Sequence, residues 1–379
     1  MDITSVRQNV EVVATQWMPQ MPARLGRQAL DPADFTTLRD AGFTLTGVPE
    51  AMGGAWHSAQ RSTRPTGAMF RALARVDPSV ALVATMHPTV LGLWLEEPEE
   101  SPIDPDAWRE QRDRVLSAAK AGHWFGTINS EPGSGGNLMA TRATAVSQSK
   151  GVWRVSGDKI MGSGSGVTSF MITTAVPEGE NAPDVFLIDT RDLPWDGSRG
   201  AKLVREWDGH GMAATQSHAF RFDGLTAERH ALLGGAVKLV SRVMPVAVYQ
   251  FSSVIMGILD AALAEARRRL QPRADRMSAF ERVSWTKAVN DIWLAEQAFE
   301  GMARAIERGG PSIGAARGKL AISELAEASL LSISRTIGGA SYSRSSPFGQ
   351  WSQDVRALGL LRPPWSLAYD GLFDASFTD

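Results

Sequence analysis

The stretch His123-Trp-Phe-Gly-Thr-Ile-Asn-Ser-Glu131-Pro132-Gly-Ser-Gly-Gly-Asn137 is where the apolar pattern of this chain changes its period. Upstream, the sequence reads as helices joined by short turns. Asp31-Pro32-Ala33-Asp34 predicts an N-cap with proline at the first helical position, and Gly42 the stop of that helix. Asp77-Pro78 opens an apolar helix running toward Trp94, and Asp104-Pro105-Asp106 opens another that ends at Gly122. From His123 to about Leu232 the apolar residues instead fall in short runs separated by Gly, Asn, Asp and Pro. Trp124–Ile128, Thr144–Ser147, Val152–Val155, Phe170–Ala175, Val185–Ile188 and Ala219–Phe222 are the expected strands. Ser149-Lys150-Gly151 is a hairpin turn between two of them. With no helices between the strands, an antiparallel barrel or sandwich is expected rather than a parallel sheet.

After Gly235 the helical period returns. Val240–Leu270, Phe280–Arg308 and Ile313–Ile337 are long enough for a bundle, with breaks at Pro272 and Gly309-Gly310-Pro311, and Phe348–Leu361 predicts a shorter helix. The fold class is therefore α+β and multidomain. A helical N-terminal domain spans 1–122, a β-domain 123–232, and a C-terminal helical bundle 233–379.

Composition narrows the chemistry. The chain has 379 residues, 43% of them hydrophobic, so a sizeable core spread over two or three domains is expected. Charge is nearly balanced, 39 Lys+Arg against 41 Asp+Glu, and no basic field recruits nucleic acid or an anionic membrane. There are no cysteines, which removes disulfides, thiolate nucleophiles and cysteine-ligated metals. The uncharged run Val243–Leu259 includes Pro245, Gln250, Ser252 and Ser253 and reads as a buried bundle helix. Met1 to Val13 carries Asp2, Arg7 and Glu11 and has no signal-peptide core, so a cytoplasmic protein acting on a small molecule is expected.

Several patterns fail their own tests. Gly162-Ser-Gly-Ser-Gly166 lacks the last glycine of a dinucleotide fingerprint, and no helix follows it. Gly318-Lys319 is followed by Leu320 inside a helical stretch, so it is no phosphate loop. The six histidines, His57, His87, His123, His210, His218 and His230, show no ligand spacing, and no metal is expected.

Five features, read together and in order, are more specific. Ala41-Gly42-Phe43 with Val48-Pro49-Glu50 and Gly53-Gly54 is followed by Ser130-Glu131-Pro132-Gly-Ser-Gly-Gly-Asn137. Then come Val155-Ser-Gly-Asp-Lys159-Ile-Met-Gly-Ser163, Gly211-Met-Ala-Ala-Thr215-Gln-Ser217, and Gly338-Gly-Ala-Ser-Tyr342 with Pro347 and Asp354. The chain resembles the acyl-CoA dehydrogenase superfamily from end to end. That family's fold has a helical N-terminal domain, a middle β-barrel and a C-terminal four-helix bundle.

The resemblance implies a flavin between the β-domain and the bundle, in a homodimer or homotetramer whose neighbouring subunit completes the site. FAD is the expected cofactor, with FMN or no flavin as alternatives. Ser130 takes the place of the family's threonine at the pyrimidine edge of the ring, with Thr127 and Asn129 just before it. Met161 takes the place of a ring-edge tryptophan, and Ser163 that of the threonine after it. Such side chains supply the directed hydrogen bonds that set a flavin's reactivity. Arg273 survives from the family's Arg-x-x-Phe-Gly, and Arg335 with Gly339 falls on its glutamine and double glycine, all implied to meet a distal phosphate. None of the twelve tryptophans falls on a family flavin position.

The departure is at the catalytic base. An acyl-CoA dehydrogenase needs a carboxylate to remove the α-proton while the flavin takes a hydride. The family's glutamate position falls on Arg362, and no Asp or Glu occurs between Arg229 and Leu259, where the alternative base would lie. Three readings follow. The first is a flavin oxidoreductase performing CH–CH oxidation of an acyl thioester, an acyl-CoA among the candidates, or of a related small molecule. The second is a reduced-flavin monooxygenase of the same fold, with His87 and Ser163 as the candidate catalytic side chains and a structural helix position as the alternative for His87. The third is a paralogue that binds no flavin.

Overall fold

A computed structural model describes residues 1–95, 104–309 and 313–377. Gly310 and Pro311, two of the expected break residues, lie outside the described residues. The N-terminal part comprises α1 (Ile3–Trp17), α2 (Met21–Leu25), α3 (Pro32–Asp40), α4 (Ala59–Ala74), α5 (Pro78–Leu95) and α6 (Pro105–Lys120). The Asp-Pro signals work as local chemistry requires. Asp31 accepts from the Ala33 N–H at 2.9 Å, Asp77 from Val80 at 3.0 Å and Asp104 from Ala107 at 3.0 Å. Gly42 and Gly122 stop their helices at φ values of 91° and 94°, in the left-handed region open to glycine. Asp77 also joins a buried set with Arg24 and Asp34, which fixes the start of α5. Helix α5 is apolar on every side and buried along nearly its whole length.

The middle part holds β1 (Phe125–Thr127), β2 (Thr144–Ser149), β3 (Val152–Gly162), β4 (Phe170–Pro177), β5 (Asp184–Asp189), β6 (Ala201–Arg205) and β7 (His218–Arg229). The pairings β2–β3, β3–β7, β7–β5, β5–β4 and β4–β2 return to their start and so close a barrel. The expectation of a wholly antiparallel sheet is corrected in one respect. Strands β1 and β2 both run parallel to β4, one after the other along the same edge, Phe125 opposite Phe170 and Thr144 opposite Val176. Long connections permit this; only a tight hairpin forces the antiparallel arrangement. Strand β6 was not expected, being short and partly exposed. The barrel core is Ile128, Ala145, Val155, Met171, Phe186, Phe220 and their neighbours.

The C-terminal part runs through α7 (Gly235–Lys238), a π-turn at Leu239–Val243, and α8 (Met244–Leu270), α9 (Ala279–Glu307), α10 (Ile313–Ile337), α11 (Pro347–Gly359) and α12 (Trp365–Ala375). Ser278 caps α9 in a reciprocal box with Glu281. Helix α12 lies beyond the helices expected from sequence. The segments α5 and 235–276 are long and apolar enough to cross a membrane by composition, and their most apolar 18-residue stretches are 94% and 72% buried inside the fold. One core cluster runs without a break from Val6 of α1 through α4 and α5 into α8, α9, α10 and α11. The chain is thus mixed α+β, helical at both ends and strand-rich between.

Candidate active site

A cavity of about 370 Å³ opens where the barrel rim meets the helices. Leu82, Met86, Thr89 and Val90 of α5 form one wall, and Leu239, Met244, Ala247 and Phe251 from the π-turn and α8 form another. The barrel supplies Thr127, Asn129, Ser130, Ile160, Met161, Ser163 and Ser217, while Leu361, Arg362 and Pro364 arrive on the loop after α11. A π-turn re-aims the side chains of an otherwise regular helix and is common beside functional sites.

The Ser130 segment is held from behind. Ser130 accepts the Ile160 N–H at 2.8 Å through its carbonyl, as a one-residue bridge to β3. Beneath it, Lys159 Nζ donates to Glu131 Oε1 at 2.6 Å and to the Thr174 carbonyl at 2.6 Å. Glu131 further accepts from the Thr141 hydroxyl and from the Arg142 N–H at 2.7 Å. Both ions are buried. Burial alone would raise the Glu131 carboxyl, but the bonds from Lys159, Thr141 and Arg142 outweigh it and hold the group below its usual range. Burial pushes Lys159 down to about 8, against the opposing pull of Glu131 and helped by the nearby Arg362 charge. Glu131 is therefore an ionised anchor, held by donors on both of its oxygens. A side chain at Gly136 would strike Pro364 at 2.5 Å, so glycine lets the Glu131–Asn137 loop meet the α11–α12 loop.

Arg362 crosses the cavity mouth to Ser130, Nη2 donating to the serine hydroxyl at 2.7 Å. Burial pushes the guanidinium down to about 10, still cationic near neutrality. Among the described residues it has no carboxylate partner. An uncompensated charge in such a place costs on the order of several kcal/mol. Lys319 of α10 fixes the loop that carries it, donating to the carbonyls of Gly359, Leu361 (2.8 Å) and Pro363 (3.1 Å).

The hydroxyls form a directed chain. Thr215 donates to the Met212 carbonyl at 2.8 Å and has no second proton, so it accepts from Ser217, 2.7 Å away. Ser217 then accepts from Ser163, also at 2.7 Å. The Ser163 proton points inward, and its free lone pair is left for a donor in the cavity. Asn129 donates to Thr127 Oγ1 at 2.5 Å, and its buried Oδ1 has no partner. Ser130, accepting from Arg362, keeps its own proton to donate. Donors at Ser130 and Arg362 together with acceptors at Asn129 and Ser163 suit a ring whose edge alternates carbonyls and N–H groups, as the pyrimidine edge of a flavin does. Met161 holds a left-handed backbone at φ 58° and is 47% exposed at the rim; such strain collects at functional sites.

Thr127, Asn129, Ser130, Met161, Ser163 and Arg362 are therefore brought together. The other expected residues are not. His87 is buried between the Thr44 carbonyl (2.9 Å from Nε2) and the Phe125 N–H, which donates to Nδ1 at 3.2 Å. Both ring nitrogens are used, burial pushes the imidazole down to about 4, and the residue is structural. Arg273 pairs with Glu281 at 2.5 Å and the Thr336 carbonyl at 2.9 Å, on the junction of α8 and α9. Arg335 and Gly339 are exposed and do not line the cavity. In the other direction, Trp207 does line the cavity, its indole donating to the Met212 carbonyl at 2.9 Å. Nothing in the local sequence marks it. Asp354, buried and pushed up to about 7 by that burial, accepts the Met212 N–H at 2.6 Å and ties α11 to the same turn.

No family model matches the chain. The amino sugar nitrososynthase DnmZ of Streptomyces peucetius is 26% identical over 355 residues, which cover 87% of this chain and 82% of that protein. KijD3, solved with FMN and a dTDP-linked amino keto sugar, superposes with a TM-score of 0.81 at 20% identity, over 98% of this chain and 94% of that one. FMN-bound TdsC of Paenibacillus sp. A11-2, a dibenzothiophene monooxygenase, gives a TM-score of 0.80 at 18% identity, over 98% and 97%. The chain shares its fold with these proteins, and that fold is consistent with the acyl-CoA dehydrogenase-like architecture that the motifs resemble. The flavin in the TdsC and KijD3 structures is FMN, the alternative to the expected FAD.

Proposed function

We propose that this chain is a reduced-flavin-dependent monooxygenase that oxygenates a small molecule in the cavity above Ser130 and Ser163. The carrying observation is the state of the cavity's carboxylate. Glu131 is committed to Lys159, Thr141 and backbone N–H groups, and a guanidinium stands where the resembling dehydrogenases place a base. Among the described residues the only carboxylate lining the cavity is paired with Lys159, so CH–CH oxidation of an acyl thioester is the weaker reading. Held by these residues, a reduced flavin would supply the two electrons with which dioxygen gives one oxygen atom to the substrate and leaves the other as water. FMN, the flavin of the TdsC and KijD3 structures and the alternative to the expected FAD, is the form we propose.

The chain's own residues orient and enclose. Ser130 and Asn129 offer a donor and an acceptor to the ring edge, Ser163 offers an acceptor, and the α5 and α8 walls exclude water. The names of the similar proteins point to nitrogen or sulfur as the atom oxygenated. Arg335 and Gly339, exposed on the helices, suit the cavity of a second copy in a homodimer or homotetramer. The test is to load the purified protein with FMN, reduce it, and admit oxygen with an amine or a thiophene. A product heavier by one oxygen atom supports the proposal. Failure to bind FMN or FAD would leave the flavin-free paralogue reading.

A further inference from the structure

Arg362 is the one charged group at the cavity that nothing in the described chain neutralises. The walls around it are Leu82, Met86, Val90, Phe251 and Leu361. The neighbouring ammonium, Lys159, is already matched by Glu131 at 2.6 Å. Ser130 takes a single guanidinium N–H, which leaves others in a fixed planar fork. The loop bearing this fork is pinned by a second buried ammonium, Lys319, through backbone carbonyls alone. A fold that spends a buried lysine on holding an arginine at a cavity mouth presents that arginine to a ligand. Carboxylates and other planar oxyanions match the fork two-on-two.

We propose that Arg362 is a binding residue for an oxyanion: either an acidic group on the substrate, making this an enzyme of acidic small molecules, or the charged pyrimidine edge of a reduced flavin. The inference deepens the monooxygenase reading, and its first test needs no flavin, so the two fail separately.

Flavin-free protein is titrated with benzoate and with its neutral isostere benzamide, followed by tryptophan fluorescence, since Trp207 lines the cavity, and by thermal shift. Benzoate is expected to bind about tenfold or more tightly than benzamide, the scale of a charge-assisted hydrogen bond. R362Q should erase the preference and R362K retain part of it. In the second test FMN-loaded protein is photoreduced and its absorbance followed against pH. Loss of the charge in R362Q should raise the pH at which the reduced ring gives up its proton by about one unit. A benzoate preference that depends on residue 362 assigns the anchor to substrate; a shift in flavin ionisation alone assigns it to the ring. Equal binding of benzoate and benzamide by wild type, with flavin ionisation unchanged in R362Q or R362K or with no flavin bound, would overturn the proposal. Should R362Q fail to fold, the wild-type contrast and R362K decide.

Discussion

Lys319 donates to the carbonyl of Leu361 at 2.8 Å, joining the second turn of α10 to the loop that places Arg362 against Ser130. Burial pushes this ammonium down to about 8 from the ordinary lysine value of 10.5. In the unfolded chain the amine keeps its proton up to the ordinary value. Across the window from about 8 to 10.5 the unfolded state therefore binds more protons, and stability rises with pH. One such group contributes a slope of at most about 1.4 kcal/mol per pH unit. Lys159, pushed the same way, adds to it. Urea midpoints of wild type should rise over this window, and those of K319M should rise about half as steeply. Equal slopes would show that burial does not push the Lys319 ammonium down in the folded protein.

The Ser163–Ser217–Thr215 chain makes a double-mutant cycle informative. S163A removes an acceptor from the cavity and should weaken FMN binding by about two- to tenfold, the scale of a neutral hydrogen bond. S217A leaves Ser163 free to turn and should cost a similar factor. The double variant should be no worse than S163A. Additive losses by flavin titration would mean that the two hydroxyls act independently.

Glu131 and Lys159 are buried together, so removing one partner strands the other. E131Q should lose about 3–5 kcal/mol of stability, while the E131Q/K159M pair should recover a good part of it. Chemical denaturation reads both. A single variant as stable as wild type would contradict the burial of this pair.

R362E puts a carboxylate at the family's base position. It should nonetheless give no acyl-CoA dehydrogenase activity, because nothing else here holds an acyl thioester, and the new carboxylate would face Ser130 and the Lys159 charge. Anaerobic addition of butyryl- or octanoyl-CoA should leave the oxidised flavin spectrum of the variant intact. Bleaching would show that the base alone separates the two chemistries.

What the sequence disclosed follows the range of the forces involved. The caps at Asp31 and Asp104 and the stops at Gly42 and Gly122 are one-turn hydrogen-bond rules, visible in a few letters. Helix α12 was hidden behind Pro363-Pro364, which reads as an end and here sits at a beginning, Pro364 immediately preceding the first turn. The parallel pairing of β1 and β2 to β4 depends on partners far apart in the chain, which no local period encodes. Ser130 and Ser163 were legible because motifs carry them. The Glu131–Lys159 pair lay inside those same motifs, yet the contact joins positions 28 residues apart and appears only once β3 is folded. His87 is a catalytic candidate by residue type alone, and its alternative, a structural helix position, is the one the fold shows, with two backbone groups on its ring.

The central claim is that the cavity directs a reduced flavin to oxygen rather than an oxidised flavin to a C–H bond. It is tested most directly by mixing anaerobically reduced, FMN-loaded protein with oxygenated buffer and following absorbance and peroxide together. The expected result is a transient species, neither reduced nor oxidised in its spectrum, that outlives the reoxidation of free FMN and delays peroxide release. Reoxidation at the rate of free FMN, with peroxide formed in step, would contradict the account.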